Sequence, residues 1–296
     1  MTTPDVLAAY ARVERFAAVG STNDIVREWL AEGTPEVCVA VADEQRAGRG
    51  RSGRTWAAPS GSALLCSVGF RPDWLGAADA WRLAAVVALA MTDAAEDVAG
   101  LGEGTIKFKW PNDLVVIDSG PDALLIGDIS ASDALERRSA PISLRKLAGI
   151  LGETDGLGTA DPRMVVGIGL NADWSAADFP PELAPSMTSL REASGGRPID
   201  RDALLDGFLG RLETRLAALR GRRFDVAGWT DRQVTTGHIV TLAGLDGSTT
   251  VVRALGVDGA SGALVIEAID ALGQPSERLV FAGEILHLRL AAAGSV

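Results

Sequence analysis

Seven residues from Gly48 to Arg54, Gly48-Arg49-Gly50-Arg51-Ser52-Gly53-Arg54, combine three glycines with three arginines. Glycine lets a backbone approach a phosphate closely and bare its N–H groups, while arginine adds fork-shaped donors and positive charge. A loop of this make-up suits an acyl-adenylate. It equally suits a solvated basic loop, and the seven residues alone do not choose. They are not a Walker loop, since Gly-x-x-x-x-Gly-Lys-Ser/Thr does not occur.

Lys109-Trp110-Pro111-Asn112-Asp113 offers a second set of groups. The oxygens of Asn112 and Asp113 could hold Mg2+ and nucleotide phosphates, because hard cations prefer oxygen ligands, and Lys109 would add charge. Pro-Asn-Asp is also ordinary turn chemistry. Lys146 stands just before the apolar run Leu147-Ala148-Gly149-Ile150, as a reacting group or as a gatekeeper charge on a strand edge. Gly167-Ile168-Gly169-Leu170-Asn171 has glycines that would let a ligand lie close to a strand. Cys38 and Cys66 each sit in an apolar run and read as buried thiols in a reducing compartment. With only His238 and His287 besides, no zinc set has suitable spacing.

These groups need elements to hold them. Ser21 or Thr22 is placed to cap a helix carrying Ile25, Val26, Trp29 and Leu30 and ending at Gly33. Strands are expected at 37–42 and 63–70, with the Arg/Gly loop between them, then a mostly buried helix over 81–98. Short strands at 105–109 and 114–117 flank the Trp-Pro-Asn turn, and apolar strands at 147–152 and 164–170 flank a hairpin turn. A leucine stripe (Leu205, Leu209, Leu212, Leu216, Leu219) marks a helix over 201–219. Beyond Trp229 five short β-rich segments suggest a small barrel and a boundary near 230, giving domains 1–229 and 230–296. The stretch 118–143 is long and polar and reads as a surface insertion.

Bulk properties narrow the class. Of 296 residues, 47% are hydrophobic and 23% charged, as in an ordinary soluble globular chain. No apolar run is long enough to span a bilayer and no signal peptide is evident, so a cytoplasmic location is expected and no membrane partner. A net charge of −11 argues against general nucleic-acid binding. Arginines gathered in one loop against that background suit a small anionic ligand.

Taken in order, Ser21-Thr22-Asn23, Gln45 with Gly48 to Trp56, Lys109 to Asp113, Lys146 to Ile150 and Gly167 to Asn171 resemble the biotin protein ligase family. The likeness is dense from Ser21 to Asn171 and looser beyond. It implies an α+β fold: a mixed-sheet catalytic domain with helices, of the class II synthetase-like type, plus a C-terminal SH3-like β-barrel. It implies ATP-dependent formation of biotinyl-AMP and transfer of biotin to a lysine of the biotin carboxyl carrier domain of an acyl-CoA or pyruvate carboxylase. ATP and biotin are then substrates and Mg2+ the metal.

The resemblance carries roles residue by residue. Ser21, Thr22, Asn23, Gln45, Gly48, Arg49, Gly50, Arg51, Lys146 and Gly149 match biotin-site positions. Arg51, Arg54, Trp56, Lys109, Asn112, Asp113 and Asn171 match the ATP site, with Asn112 and Asp113 on the metal. Lys146, Arg49 and Arg51 match the catalytic cations, and the loop is expected to be mobile without ligand. Only about twenty residues precede Ser21, so the family's DNA-binding repressor domain is not expected. A monomer or weak homodimer is expected. Two other readings stay open: a lipoate ligase or octanoyl transferase, the latter needing a cysteine in a polar setting, and a non-catalytic biotin sensor.

Overall fold

The computed structural model describes residues 8–117, 143–269 and 274–289. Most of the stretch 118–143 therefore lies outside the described residues. Two compact units divide the chain: Met1–Thr105 with Lys146–Asp225, and Ile106–Arg145 with Val226–Val296.

In the first unit, β1 (Arg12–Val19), β2 (Cys38–Gln45), β3 (Ala63–Phe70), β7 (Arg163–Asn171) and β6 (Leu144–Asp155) lie side by side in that order. β1 runs parallel to β2 and the other pairs are antiparallel, so the sheet is mixed as expected. β3 is buried at every position, which explains its unbroken apolar run; a strand covered on both faces has no polar side to alternate with. β1 carries no such run (Arg-Val-Glu-Arg-Phe), so no apolar pattern marks it as a strand.

Helix α1 (Thr22–Ala31) buries Thr22, Asn23, Val26, Trp29 and Leu30, a stripe at helical spacing laid on β2, β3 and β7. It comes so close to β3 that a Cβ on Gly69 would sit 2.6 Å from Val26 and 3.3 Å from Leu30. Its start corrects one expectation. Ser21 occupies the capping position with extended backbone, but no side-chain hydrogen bond caps the helix. The first N–H, on Thr22, is instead taken by Gln45 Oε1 from the end of β2 at 2.7 Å. A side chain from another strand thus satisfies an orphan donor of the helix end.

Helices α2 (Trp81–Val98) and α3 (Arg201–Arg220) pack together. Asp200 caps α3 by accepting from Asp202 N and Ala203 N, and its leucines with Phe208 are buried. Each such side chain contributes about 1.5–3 kcal/mol of apolar burial.

In the second unit β4 (Ile106–Lys109) and β5 (Asp113–Ile117) form a hairpin with Lys109 opposite Asp113. Trp110 at its tip is buried with Val115, Val234, Val240, Leu264 and Ile285, and its indole N–H donates to Gly262 O at 3.2 Å. After the short helix α4 (Val226–Asp231) come β8 (Ile239–Ala243), β9 (Thr249–Val257), β10 (Leu264–Ile269), β11 (Pro275–Val280) and β12 (Glu284–Arg289). They form an antiparallel sheet in the order β11-β10-β9-β8-β12. All five expected segments are strands, as a sheet with two outer edges among the described residues rather than a closed barrel.

Candidate functional site

Four oxygens from three elements of the first unit form a row. Thr22 N–H and hydroxyl both donate to Gln45 Oε1, at 2.7 and 3.0 Å. Ser67 Oγ lies 2.7 Å from Thr22 Oγ1 and 2.5 Å from Asn23 Oδ1. Each hydroxyl has one proton, and the two amide oxygens only accept. Three oxygen–oxygen contacts among hydroxyls and amides are therefore served by two protons. The row is rich in acceptors and suited to a ligand that brings N–H groups. Thr22, Asn23 and Ser67 are buried, where an unmet polar group costs about 1–3 kcal/mol. Ser21, also buried, precedes them at the start of α1.

The Arg/Gly loop is a small hairpin anchored at its base. Trp56 N donates to Gly48 O at 2.9 Å and Gly50 N to Arg54 O at 2.7 Å. A Cβ on Gly48 would lie 2.4 Å from Trp56 O, so that position needs glycine for close approach. At the tip Ser52 and Gly53 have φ of 56° and 73°. A Cβ on Gly50 would meet nothing nearer than 3.5 Å, so the fold itself does not demand glycine there.

Arg49 is bound to acids. It pairs bidentately with Asp24 at 2.7 and 2.8 Å and reaches Glu153 at 3.4 Å. Arg27 joins both carboxylates, at 2.7 Å from Asp24 and 2.8 Å from Glu153. The hydrogen bond from Arg49, with the charges of both arginines, holds the Asp24 carboxyl below its usual range against the opposing pull of burial. The hydrogen bond to Asp24 likewise raises Arg49. Any anion that Arg49 meets must compete with these two carboxylates.

Trp56 lies on the glycines of the sheet. Gly149 and Gly169 face each other across β6 and β7, and a Cβ on Gly169 would come 2.5 Å from the indole. On Gly149 it would meet the same ring at 3.2 Å and Lys146 Nζ at 3.3 Å. Lys146 Nζ stands 5.5 Å from the Trp56 ring centroid, within cation–π range. The glycines expected to admit a ligand thus admit an indole, and Gly167 admits Asn23, whose Oδ1 would be 2.2 Å from a Cβ there. Lys146 is held by its backbone, donating to Ser186 O at 2.7 Å and accepting from Thr188 N at 2.9 Å.

Two buried atoms near these strands have no hydrogen-bond partner: Trp56 Nε1, a donor, and Asn171 Oδ1, an acceptor. Asn171 is fully buried at the end of β7 and donates its Nδ2 to Thr188 O at 3.0 Å. Arg51 and Arg54 lie on the loop, Arg51 half-buried and Arg54 exposed. Lys109, Asn112 and Asp113 are half-buried on the β4–β5 turn and belong to the second unit.

The first unit therefore gathers Thr22, Asn23, Gln45, Gly48, Arg49, Trp56, Lys146 and Gly149, and adds three residues that the sequence did not single out. Ser67 was signalled only as a polar residue inside an apolar strand. Glu153 lies near the end of β6 and Asp24 in the first turn of α1, and nothing in their spacing announces a shared partner in Arg49. Cys38 and Cys66 are both buried and free, and burial raises their thiols to about 11 and about 12. Neither suits an attacking nucleophile. Among the described residues no three or more His, Cys, Asp or Glu side chains gather as a metal site, and no helix is long and apolar enough to cross a membrane.

Known proteins share both sequence and fold. Residues 16–171 match the Biotin/lipoate A/B protein ligase family. A biotin--[acetyl-CoA-carboxylase] ligase of Mycobacterium tuberculosis is 29% identical over 285 residues, covering 95% of this chain and 91% of that protein. The bifunctional ligase/repressor BirA of Bacillus spizizenii is 30% identical over 197 residues, covering 67% of this chain. That match spans 51% of BirA, about half of its length. The fold is that of a biotin protein ligase from Aquifex aeolicus solved with biotin and ATP, with a TM-score of 0.68 at 23% identity, covering 95% of this chain and 99% of that one. Sequence motifs, mixed sheet and matched residues agree: the chain belongs to the Biotin/lipoate A/B protein ligase family.

Proposed function

We propose that this chain is a biotin protein ligase, forming biotinyl-AMP from biotin and ATP and passing biotin to a carrier lysine. The observation that carries this reading is the acceptor row of Thr22, Asn23, Gln45 and Ser67. A ureido ring brings two N–H donors to such a row; the dithiolane of lipoate brings none and would leave buried acceptors unmet. The relatives named for biotin, and the Aquifex structure holding biotin and ATP, support the same choice. An octanoyl transferase would need a reactive cysteine, which buried Cys38 and Cys66 do not supply.

In the first step a biotin carboxylate oxygen attacks the α-phosphorus of ATP, and the bond to the leaving pyrophosphate breaks. Two anions must approach, and Arg49, Arg51 and Lys146 would offset their repulsion and the charge that gathers on phosphorus. Arg54, Trp56, Lys109 and Asn171 would bind the nucleotide, and Gly48, Gly50 and Gly149 would let backbone and ligand lie close. Asn112 and Asp113 would hold Mg2+ with the phosphates, a fit for a cation that uses one or two carboxylates and keeps water. Mg2+ would supply charge neutralisation for the pyrophosphate. In the second step the carrier lysine amine attacks the acyl carbon, AMP leaves, and an amide forms. The relatives' names point to the carrier domain of acetyl-CoA carboxylase as the acceptor. In this reading the reacting groups all precede residue 230.

Biotin-dependent exchange of labelled pyrophosphate into ATP tests the first step. Exchange should require biotin and fall by roughly 10²–10³ in Lys146→Ala, the loss typical of one removed donor in a preorganised site. Exchange that ignores biotin, or survives that substitution undiminished, would overturn these assignments.

A further inference from the structure

Glu153 lies near the end of β6 opposite Val165, outside every motif that signalled the site. Its Oε2 accepts from Asn23 Nδ2 at 2.6 Å. The two ends of an asparagine amide have nearly the same shape, so partners decide which way it faces. A carboxylate can only accept, and it must face the Nδ2 end. Asn23 Oδ1 is then left toward Ser67 at 2.5 Å, packed on Gly167, where a Cβ would lie 2.2 Å from it.

We infer that Glu153 is a positioning residue for biotin: it fixes Asn23 with its oxygen on the acceptor row, so that ligand N–H groups meet an acceptor rather than an amide N–H. With the amide turned round, the row would exchange one acceptor for two donors. The inference rests on the biotin reading. Glu153 also pairs with Arg27 at 2.8 Å and touches Arg49 at 3.4 Å, but both arginines keep Asp24 at 2.7 Å, so its loss falls first on Asn23.

The test is steady-state kinetics of the full chain with biotin and ATP, varied separately. Glu153→Ala should raise KM for biotin about tenfold, the effect of one charge-assisted hydrogen bond, with kcat and KM for ATP moving much less. Glu153→Gln can still accept from Asn23 but no longer excludes the turned amide, so it should raise KM for biotin by less than Glu153→Ala. Asn23→Asp combined with Glu153→Ala presents an oxygen at either end and should recover biotin binding, which a merely structural role would not allow. An unchanged KM for biotin in Glu153→Ala, equal losses in Glu153→Gln, or no recovery in the double variant would each overturn the inference. A wild-type chain that takes no biotin would instead sink the reading beneath it.

Discussion

Thr22 gives both its backbone N–H and its hydroxyl to one atom, Oε1 of Gln45, at 2.7 and 3.0 Å. One side chain thereby closes the start of α1 and orients the first hydroxyl of the acceptor row. Gln45→Ala should then act twice, weakening biotin binding by about tenfold and lowering helix stability by about 1 kcal/mol. Titration calorimetry with biotin and thermal unfolding read the two effects separately. A variant that binds biotin normally would remove Gln45 from the site.

Gly169 and Gly50 belong to neighbouring motifs and should answer alanine differently. At Gly169 the new Cβ meets the Trp56 indole at 2.5 Å, whereas at Gly50 its nearest neighbour lies at 3.5 Å. Gly169→Ala should expel the ring, shift tryptophan emission to the red and abolish most activity. Gly50→Ala should leave the emission spectrum unchanged. Equal spectra for the two variants would contradict the placement of Trp56.

Asp24 holds Arg49 through a pair whose carboxyl lies below its usual 3.8. A depressed carboxylate stabilises the folded loop fully above that unfolded value, and the contribution disappears only as pH falls through the lower folded one. Tryptic cleavage between Gly48 and Arg54 should therefore not be enhanced by loss of this pair anywhere above about pH 5. Asp24→Asn should speed cleavage, and biotin with ATP should slow it in the native chain. Cutting that ignores both the substitution and the ligands would show that neither governs the loop.

Cys38 and Cys66 are buried with their thiols raised to about 11 and about 12, so little thiolate exists near neutral pH. Neither should be alkylated by iodoacetamide in the native protein at pH 8, and both should react after denaturation. Mass spectrometry of the treated chain decides the matter. Rapid native labelling of either would reopen the transferase reading.

Much of this was legible in the chain itself. Continuous apolar runs betrayed β3 and β7 because both faces are covered, and the leucine stripe betrayed α3. The family resemblance of short motifs pointed to Thr22, Asn23, Gln45, Arg49 and Lys146, and the first three meet around one hydroxyl–amide row. Pairings between distant segments were not legible. Ser67 reaches Thr22 across 45 positions and Glu153 reaches Asn23 across 130, and neither has a local pattern to reveal it. The start of α1 was not legible either: serine is the right residue locally but makes no side-chain cap, and the first N–H goes to a glutamine from β2. The Arg/Gly loop showed its composition but not that Asp24 and Glu153 hold its first arginine.

One measurement decides between biotin and lipoate as the ligand. The purified chain is incubated with ATP, Mg2+ and the carrier domain of an acetyl-CoA carboxylase, with biotin in one arm and lipoate in the other, and the intact mass of the carrier is recorded. The acceptor row predicts a single biotinyl addition in the first arm and none in the second. No addition with biotin, or an equal addition with lipoate, would contradict it.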